Sequence, residues 1–232
     1  MNNEETTSGI DLLAGEAEFI TKLPGPSGML KVKVKPLNFR HCRWWDKNVQ
    51  CHIDSSFKDR ADNGWNWPLI YIMTKLSTLR YPVYGFSILA KSNANSLKEE
   101  YLPIGMAIVV RNYPYLNDHE KKSSFLWFLS SLPKSLFANL GLDSYKAVGR
   151  GVIDSVLCDA FKNWLLGVVS LHADPAGGDD LLNWYSSIGM EQIDKDIDIP
   201  KPRGILKKND GRYFSYLPTE NIKAYMQLLE WR

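Results

Sequence analysis

The sequence lacks several features that define whole classes of protein. It has no apolar run near the roughly 20 residues that a membrane-spanning helix requires. Its N-terminus is acidic and lacks the basic and apolar regions of a secretory signal. Its three cysteines, Cys42, Cys51 and Cys158, are too few for a disulfide framework, and the odd count favours a reducing compartment. These absences predict a soluble cytoplasmic protein.

An excess of charge of one sign is also missing. The chain carries 28 Lys and Arg against 26 Asp and Glu, a net charge of +2, which makes no case for nucleic acid or a membrane as partner. One local exception is the basic segment 201–212, "KPRGILKKNDGR". We interpret this segment as a solvated hairpin. The alternative is a docking patch for an RNA or protein acceptor.

A metal centre is not expected either. The segment "HCRWWDKNVQCH" gathers four potential ligands, His41, Cys42, Cys51 and His52. On one helix, however, Cys42 and Cys51 would lie about half a turn out of phase, and no Cys-x₂-Cys pair anchors a site. We therefore predict no metal.

Hydrophobic periodicity predicts a mixed α/β domain over residues 29–232. Alternation in "MLKVKVKPL" indicates a strand closed by Pro36, and three apolar, β-rich runs further on indicate a largely antiparallel sheet. A single β-α-β crossover is predicted in the second half. Residues 1–28 are predicted to be a flexible tail. The remaining predicted elements are helices over 38–57, 67–79 (the more buried), 152–166, 177–189 and 219–232, and strands over 167–173 and 211–218.

The hexapeptide "KAVGRG", residues 146–151, stands between the third apolar run and the helix predicted to follow. The first-turn N–H groups of a helix lack intrahelical partners and attract phosphate oxygens. Gly149 and Gly151 would let the backbone approach a bulky anion, because they carry no Cβ. A plain turn before a helix accounts for the same six residues, so the motif alone does not decide between a phosphate-binding loop and a turn.

The residues after the hexapeptide extend the pattern. "KAVGRG", the strand end "SLHADP" and the helical run Trp184, Tyr185, Gly189 and Met190 follow one another in order. This set resembles the GNAT (Gcn5-related N-acetyltransferase) superfamily, whose phosphate loop reads Q/R-x-x-G-x-G/A. Lys146, Gly149 and Gly151 fill its first, fourth and sixth positions. The chain departs from the family pattern in having Lys first, an insertion "KSLFANLGLDSY" before the loop, and Met190 in place of Phe.

The resemblance implies a fold, a donor and a set of site residues. It implies a central sheet splayed at the acyl-CoA site, with acetyl-CoA or a related acyl-CoA as cosubstrate. It implies that Tyr185 is the general acid that protonates the departing thiolate, with Asp174 and His172 as weak candidates for the base. The residues expected to hold the cofactor are those of the loop, the helix start and the preceding strand: Lys146, Val148, Gly149, Arg150, Gly151 and Val152, with Leu129 and Ser130.

The acceptor implied by the resemblance is a primary amine on a small metabolite, a protein or an aminoacyl-tRNA. The alternative is a catalytically inactive module of the same fold that acts by ligand or protein binding. A homodimer remains open.

Overall fold

The computed structural model describes residues 19–76, 81–93, 100–163, 165, 168–200, 206–207 and 209–216. The helices are α1 (Phe39–Trp45), α2 (Cys51–Ser56), α3 (Trp67–Leu76), α4 (Val148–Lys162) and α5 (Gly178–Ser187), and a π-helical turn, Asp46–Gln50, joins α1 to α2. The strands are β1 (Phe19–Gly25), β2 (Gly28–Pro36), β3 (Val83–Ser92), β4 (Glu100–Tyr115), β5 (Asp118–Ser131), β6 (Val169–His172), β7 (Glu191–Gln192), β8 (Ile199–Pro200), β9 (Leu206–Lys207) and β10 (Tyr213–Tyr216).

An eight-stranded sheet organises the described part of the chain, in the order β1-β2-β3-β4-β5-β6-β10-β7. Neighbouring strands are antiparallel except for β5 and β6, which are parallel. α4 lies in the crossover that such a parallel pair requires. The mixed, largely antiparallel fold class predicted from the sequence is therefore confirmed.

The parallel pair β5–β6 separates soon after it forms. Pairing ends with Leu126 opposite Leu171, whereas β5 continues to Ser131. On its other side β5 stays paired with β4, but consecutive residues of β4, Val109 and Ile108, pair with Leu126 and Phe128, which makes Trp127 a β-bulge. A bulge bends its strand and disrupts the ladder locally. Because this bulge stands where β6 leaves, a gap opens between the two strands, and the predicted splay is present.

Small residues on β4 bring α4 close to the sheet. A Cβ on Gly105 of β4 would lie 2.8 Å from Cγ2 of Val152 in α4. The close approach of α4 therefore requires a glycine at this position of the strand. The buried stripe of α4 carries Val148, Val152, Val156 and Ala160 at four-residue spacing. The packing of this stripe on β4 and β5 fixes the first turn of α4 beside the gap.

Two predictions are wrong. Residues 19–28 are not a tail, because β1 pairs along its whole length with β2 and extends the sheet by one strand. α3 is not a buried helix: among its residues only Trp67 is buried, whereas Leu69, Met73 and Leu76 are more than half exposed. The apolar run in α3 therefore reflects a face open to solvent in the described part of the chain.

Other predictions lie outside the described residues. They are the helix over 219–232, residues 1–18 of the tail, and residues 201–205 and 208 of the basic segment 201–212. The assignment of residues 29–232 to a single domain stays a prediction. No helix among the described residues is long and apolar enough to cross a membrane.

Candidate active site

A deep cleft follows the gap between β5 and β6. Its volume is about 980 Å³, at the upper end of the range for cofactor and small-molecule sites. Its walls are the separated part of β5, the end of β6, the first turn of α4, one face of α5 and the segment 59–65 that precedes α3. Among the predicted site residues, those that line the cleft are Leu129, Val148, Gly149, Arg150, His172, Asp174 and Tyr185, and those that do not are Ser130, Lys146, Gly151 and Val152.

α4 begins at the cleft without a side-chain cap. Ala147, which precedes the first turn, has a left-handed backbone with φ of 53° and no polar side chain. The N–H of Lys146 donates to the Pro24 carbonyl at 2.7 Å, which ties the loop to β1. The N–H groups of Val148 and Gly149 have no acceptor within the helix, and the helix dipole adds about half a positive charge where they point. This end of the cleft favours an anion.

The two glycines of the loop face in different directions. A Cβ on Gly149 would lie 3.4 Å from the Trp184 ring and 3.8 Å from Oγ of Ser131, both of which line the cleft. A Cβ on Gly151 would lie 2.5 Å from Cδ2 of Leu23 in β1. The N–H of Gly151 is also used within the helix, at 2.9 Å from the carbonyl before the first turn. Gly149 is therefore the glycine of the cleft, and Gly151 allows α4 to pack against β1.

One edge of β5 is open because β6 has left it. The N–H of Leu132 donates to the Ile104 carbonyl at 2.8 Å, so the backbone groups of Leu132 point toward β4. Alternate residues of a strand bond toward the same side. The backbone of Ser130 is therefore directed at β4, whereas Leu129 and Ser131 direct their N–H and C=O groups into the gap. The N–H of Leu129 can reach a carbonyl lying in the cleft.

Tyr185 forms part of the opposite wall. It lies on α5, is 6% exposed, and packs with the rings of Trp184 and Phe214 at centroid distances of 5.0 and 5.5 Å. Burial, followed by the negative charge of Asp174, raises the pKa of Tyr185 well above its ordinary value. The phenol therefore keeps its proton at neutral pH and is in the state that a general acid requires.

Asp174 and His172 both line the cleft, and both already have partners. Oδ1 of Asp174 accepts a hydrogen bond from the N–H of Ala176 at 2.8 Å, which caps the turn before α5. Nε2 of His172 lies 2.9 Å from Oδ2 of Asp210, and its ring lies 4.4 Å from that of Tyr213. The structure brings both base candidates to the cleft, with each side chain oriented by a neighbour.

A buried polar network that was not predicted forms the remaining wall. Asp62 is 4% exposed and accepts from Nε and Nη2 of Arg60 at 2.7 and 2.6 Å and from Oγ of Ser130 at 2.8 Å. Nη2 of Arg60 also donates to the carbonyl of Ser131 at 2.9 Å. Nε1 of Trp67 donates to Oγ of Ser130 at 3.2 Å. No sequence pattern marks this network, because it joins the irregular segment before α3 to a distant strand.

The fold places the potential metal ligands of the segment "HCRWWDKNVQCH" in different environments. Cys42 is buried and Cys51 is exposed, and Nδ1 of His41 lies 2.6 Å from Oγ of Ser87. Burial, with a smaller contribution from Lys35, lowers the pKa of His41 to about 4. In the part of the chain that the structure describes, no three His, Cys, Asp or Glu side chains gather as a metal site would require.

Neither a family model nor a curated protein matches the chain. Solved structures similar to it include an acetyltransferase of the GNAT family from Staphylococcus aureus Mu50, at 13% identity over 80% of this chain and 98% of that chain, with a TM-score of 0.45. Another is Arabidopsis thaliana NAA60 in complex with acetyl-CoA, at 11% identity over 80% and 97%, with a TM-score of 0.47. A third is spermidine N-acetyltransferase from Vibrio cholerae in complex with CoA and spermine, at 13% identity over 80% and 95%, with a TM-score of 0.45. These similarities concern the fold, so the function is inferred from the cleft itself.

Proposed function

We propose that the chain is an acyl-CoA-dependent N-acyltransferase of the GNAT type, with acetyl-CoA as donor and a primary amine as acceptor. One observation carries the proposal: an uncapped helix N-terminus, an open strand edge and a buried neutral phenol surround a single cleft. Transfer from a coenzyme A thioester needs an anion site for the pyrophosphate, a donor to the thioester carbonyl and a proton source for the thiolate. Each of the three features supplies one of these.

The donor would lie along the gap. The N–H groups of Val148 and Gly149 would hold the pyrophosphate at the start of α4. Arg150 and Lys134 line the cleft and add positive charge, and exposed Lys146 acts at longer range through solvent. The pantetheine arm would follow the open edge of β5 and bring the thioester carbonyl to the N–H of Leu129.

The chemistry would be a direct transfer. The amine nitrogen attacks the thioester carbon, a C–N bond forms, and the N–H of Leu129 stabilises the negative charge on the oxygen. The nitrogen loses its extra proton to a base, for which Asp174 and His172 are the candidates that line the cleft. The tetrahedral intermediate then collapses, the C–S bond breaks, and Tyr185 gives its proton to the thiolate. After CoA leaves, the base releases its proton to solvent and Tyr185 takes up a proton from solvent.

The acceptor is a small amine, a protein amino group or an aminoacyl-tRNA. The test therefore includes acceptors of all three classes. The assay is release of CoA thiol from acetyl-CoA, with spermidine, phenethylamine, a peptide with a free N-terminus and an aminoacyl-tRNA as acceptors. We expect one class to raise thiol release above hydrolysis. We expect Tyr185→Phe to abolish this increase without changing the dissociation constant for acetyl-CoA.

The second candidate is a binding module that holds acyl-CoA without turning it over. It is favoured by one observation: both base candidates are already hydrogen-bonded to other groups. Saturable acetyl-CoA binding with no thiol release for any acceptor class would support this module. Absence of binding at millimolar acetyl-CoA would overturn both candidates.

A further inference from the structure

Arg60 contacts the open edge of β5 at the place where the proposed thioester would lie. We infer that Arg60, held by Asp62, is a positioning residue that fixes this edge so that the N–H of Leu129 meets the thioester carbonyl. The inference rests on the proposed function. It assigns a role to a side chain that neither the loop motif nor the helix of Tyr185 contains.

The geometry of Arg60 is that of a clamp between two elements. Its guanidinium binds Asp62 through Nε and Nη2, and Nη2 also donates to the Ser131 carbonyl at 2.9 Å. A planar guanidinium holds such a fork with little loss of freedom, and an ammonium group cannot reproduce it. Arg60 thus connects the segment before α3 to β5.

The anchor of this clamp is itself fixed. Asp62 is buried, and its Oδ2, which accepts from Nη2 of Arg60, also accepts from Oγ of Ser130 at 2.8 Å. The backbone carbonyl of Asp62 accepts from Nε2 of Gln50 at 2.7 Å, which ties it to the helical segment before α2. Since both carboxylate oxygens accept hydrogen bonds within the network, Asp62 acts as an anchor and not as the base.

β5 needs such a contact because it has lost a partner. Past the bulge at Trp127, β4 is the strand's one partner among the described residues. Ser131, whose carbonyl Arg60 holds, shares its open edge with Leu129. The Oγ of Ser131 also lies beside Gly149 at the start of α4. A shift of this strand would change the span between the anion site and the N–H of Leu129. An error of about 1 Å in such a span costs on the order of 100-fold in rate.

The test uses the thioester carbonyl itself as the reporter. Acetyl-CoA labelled with ¹³C at the carbonyl is titrated into the protein, and the ¹³C resonance is followed by NMR. In the wild type we expect a downfield shift on binding, because a hydrogen bond polarises the carbonyl. In Arg60→Lys we expect the resonance to return most of the way to its free value, with the dissociation constant changed by less than about threefold. The control is Lys58→Ala, at an exposed residue two positions before Arg60 that does not line the cleft.

The same variants give a kinetic readout once an acceptor is found. Arg60→Lys and Asp62→Asn should each lower kcat by about 10- to 100-fold with little change in KM. If Arg60→Lys does not fold, comparison of the carbonyl resonance between Asp62→Asn and the wild type still tests the role of Arg60. A shift that both variants retain overturns the role of Arg60 and leaves the proposed function standing. Binding of acetyl-CoA to the wild type without a carbonyl shift overturns the roles of both Arg60 and the Leu129 N–H, and leaves acyl-CoA binding by the cleft standing. Absence of acetyl-CoA binding to the wild type overturns both.

Discussion

Replacement of Gly149 by aspartate should weaken donor binding strongly and leave the fold intact. A Cβ at this position would lie 3.4 Å from the Trp184 ring, an ordinary contact distance, so the backbone there accepts a Cβ. A carboxylate in the first turn of a helix stabilises it, by about 0.3–1 kcal/mol. The same carboxylate would stand where we propose that the pyrophosphate binds. Binding and stability should therefore change in opposite directions.

The size of the binding loss follows from Coulomb's law. Two unit charges about 4 Å apart repel by about 1 kcal/mol in water and by about 4 kcal/mol at the effective dielectric constant of a protein surface. The cleft around Gly149 is walled by α4, α5 and β5, which places the repulsion in the upper half of this range. A penalty of roughly 2.5–4 kcal/mol corresponds to a dissociation constant raised about 70- to 1,000-fold.

The assay is isothermal titration of CoA into the wild type, Gly149→Asp and Gly149→Asn. Asparagine matches the size of aspartate without its charge, so the difference between the two variants isolates the electrostatic part. We expect Gly149→Asp to bind much more weakly than Gly149→Asn, with melting temperatures at or above that of the wild type. Equal CoA affinities for the two variants would refute an anion site at the start of α4.

Three further predictions follow from other residues. Tyr185→Phe should lower kcat about 10²- to 10⁴-fold. Because burial raises the pKa of Tyr185, kcat of the wild type should show no loss from ionisation of Tyr185 below about pH 10. A pH–rate profile with an alkaline limb near neutrality that disappears in the Phe variant would contradict this. Gly151→Ala should lower the free energy of unfolding by up to about 2 kcal/mol, because the overpacking of the new methyl group against Leu23, about 1–3 kcal/mol, outweighs a gain of about 1 kcal/mol in helix propensity. Leu23→Ala in the same chain should relieve part of this loss in thermal unfolding, and strict additivity of the two changes would argue against the contact. The pKa of His41 is lowered to about 4 in the folded protein, so folding favours the neutral imidazole. The stability that depends on neutral His41 is therefore present above about pH 6.5 and is lost as the pH falls toward 4. Urea unfolding should show that the free energy of unfolding falls between pH 7 and pH 5 by on the order of 1–3 kcal/mol, after allowance for partial exposure of His41. The His41→Gln variant should lack this loss. An equal loss in the variant would assign the effect to another group.

The elements of the fold could be predicted because local patterns determine them. Alternation between apolar and lysine residues marks β2, and the apolar, β-rich runs mark β3, β4 and β5. β1 cannot be predicted with the same ease, because the Pro and Gly residues of "LPGPSG" fit the end of a tail as well as the turn between two paired strands, which they form. The apolar run of α3 predicts a buried helix, but no local pattern tells a buried helix from one with an open face.

The candidate site could be predicted only where its residues lie close together in the sequence. The loop, the start of α4 and Tyr185 are all signalled by short motifs, and the structure brings Gly149 and Tyr185 to one cleft. The separate roles of Gly149 and Gly151 follow from helix geometry, since residues two apart point about 200° away from each other. Arg60 and Asp62 carry no such signal, because their partners on β5 come near them only in the folded chain.

The measurement that tests the central claim most directly is a titration of the ¹⁵N-labelled protein with acetyl-CoA, followed through its backbone amide resonances. We predict that Val148 and Gly149 at the start of α4, and Leu129 on the open edge of β5, show the largest downfield shifts, saturating together. Saturable shifts confined to other parts of the protein, or no shift at millimolar acetyl-CoA, would contradict the assignment of this cleft to an acyl-CoA donor.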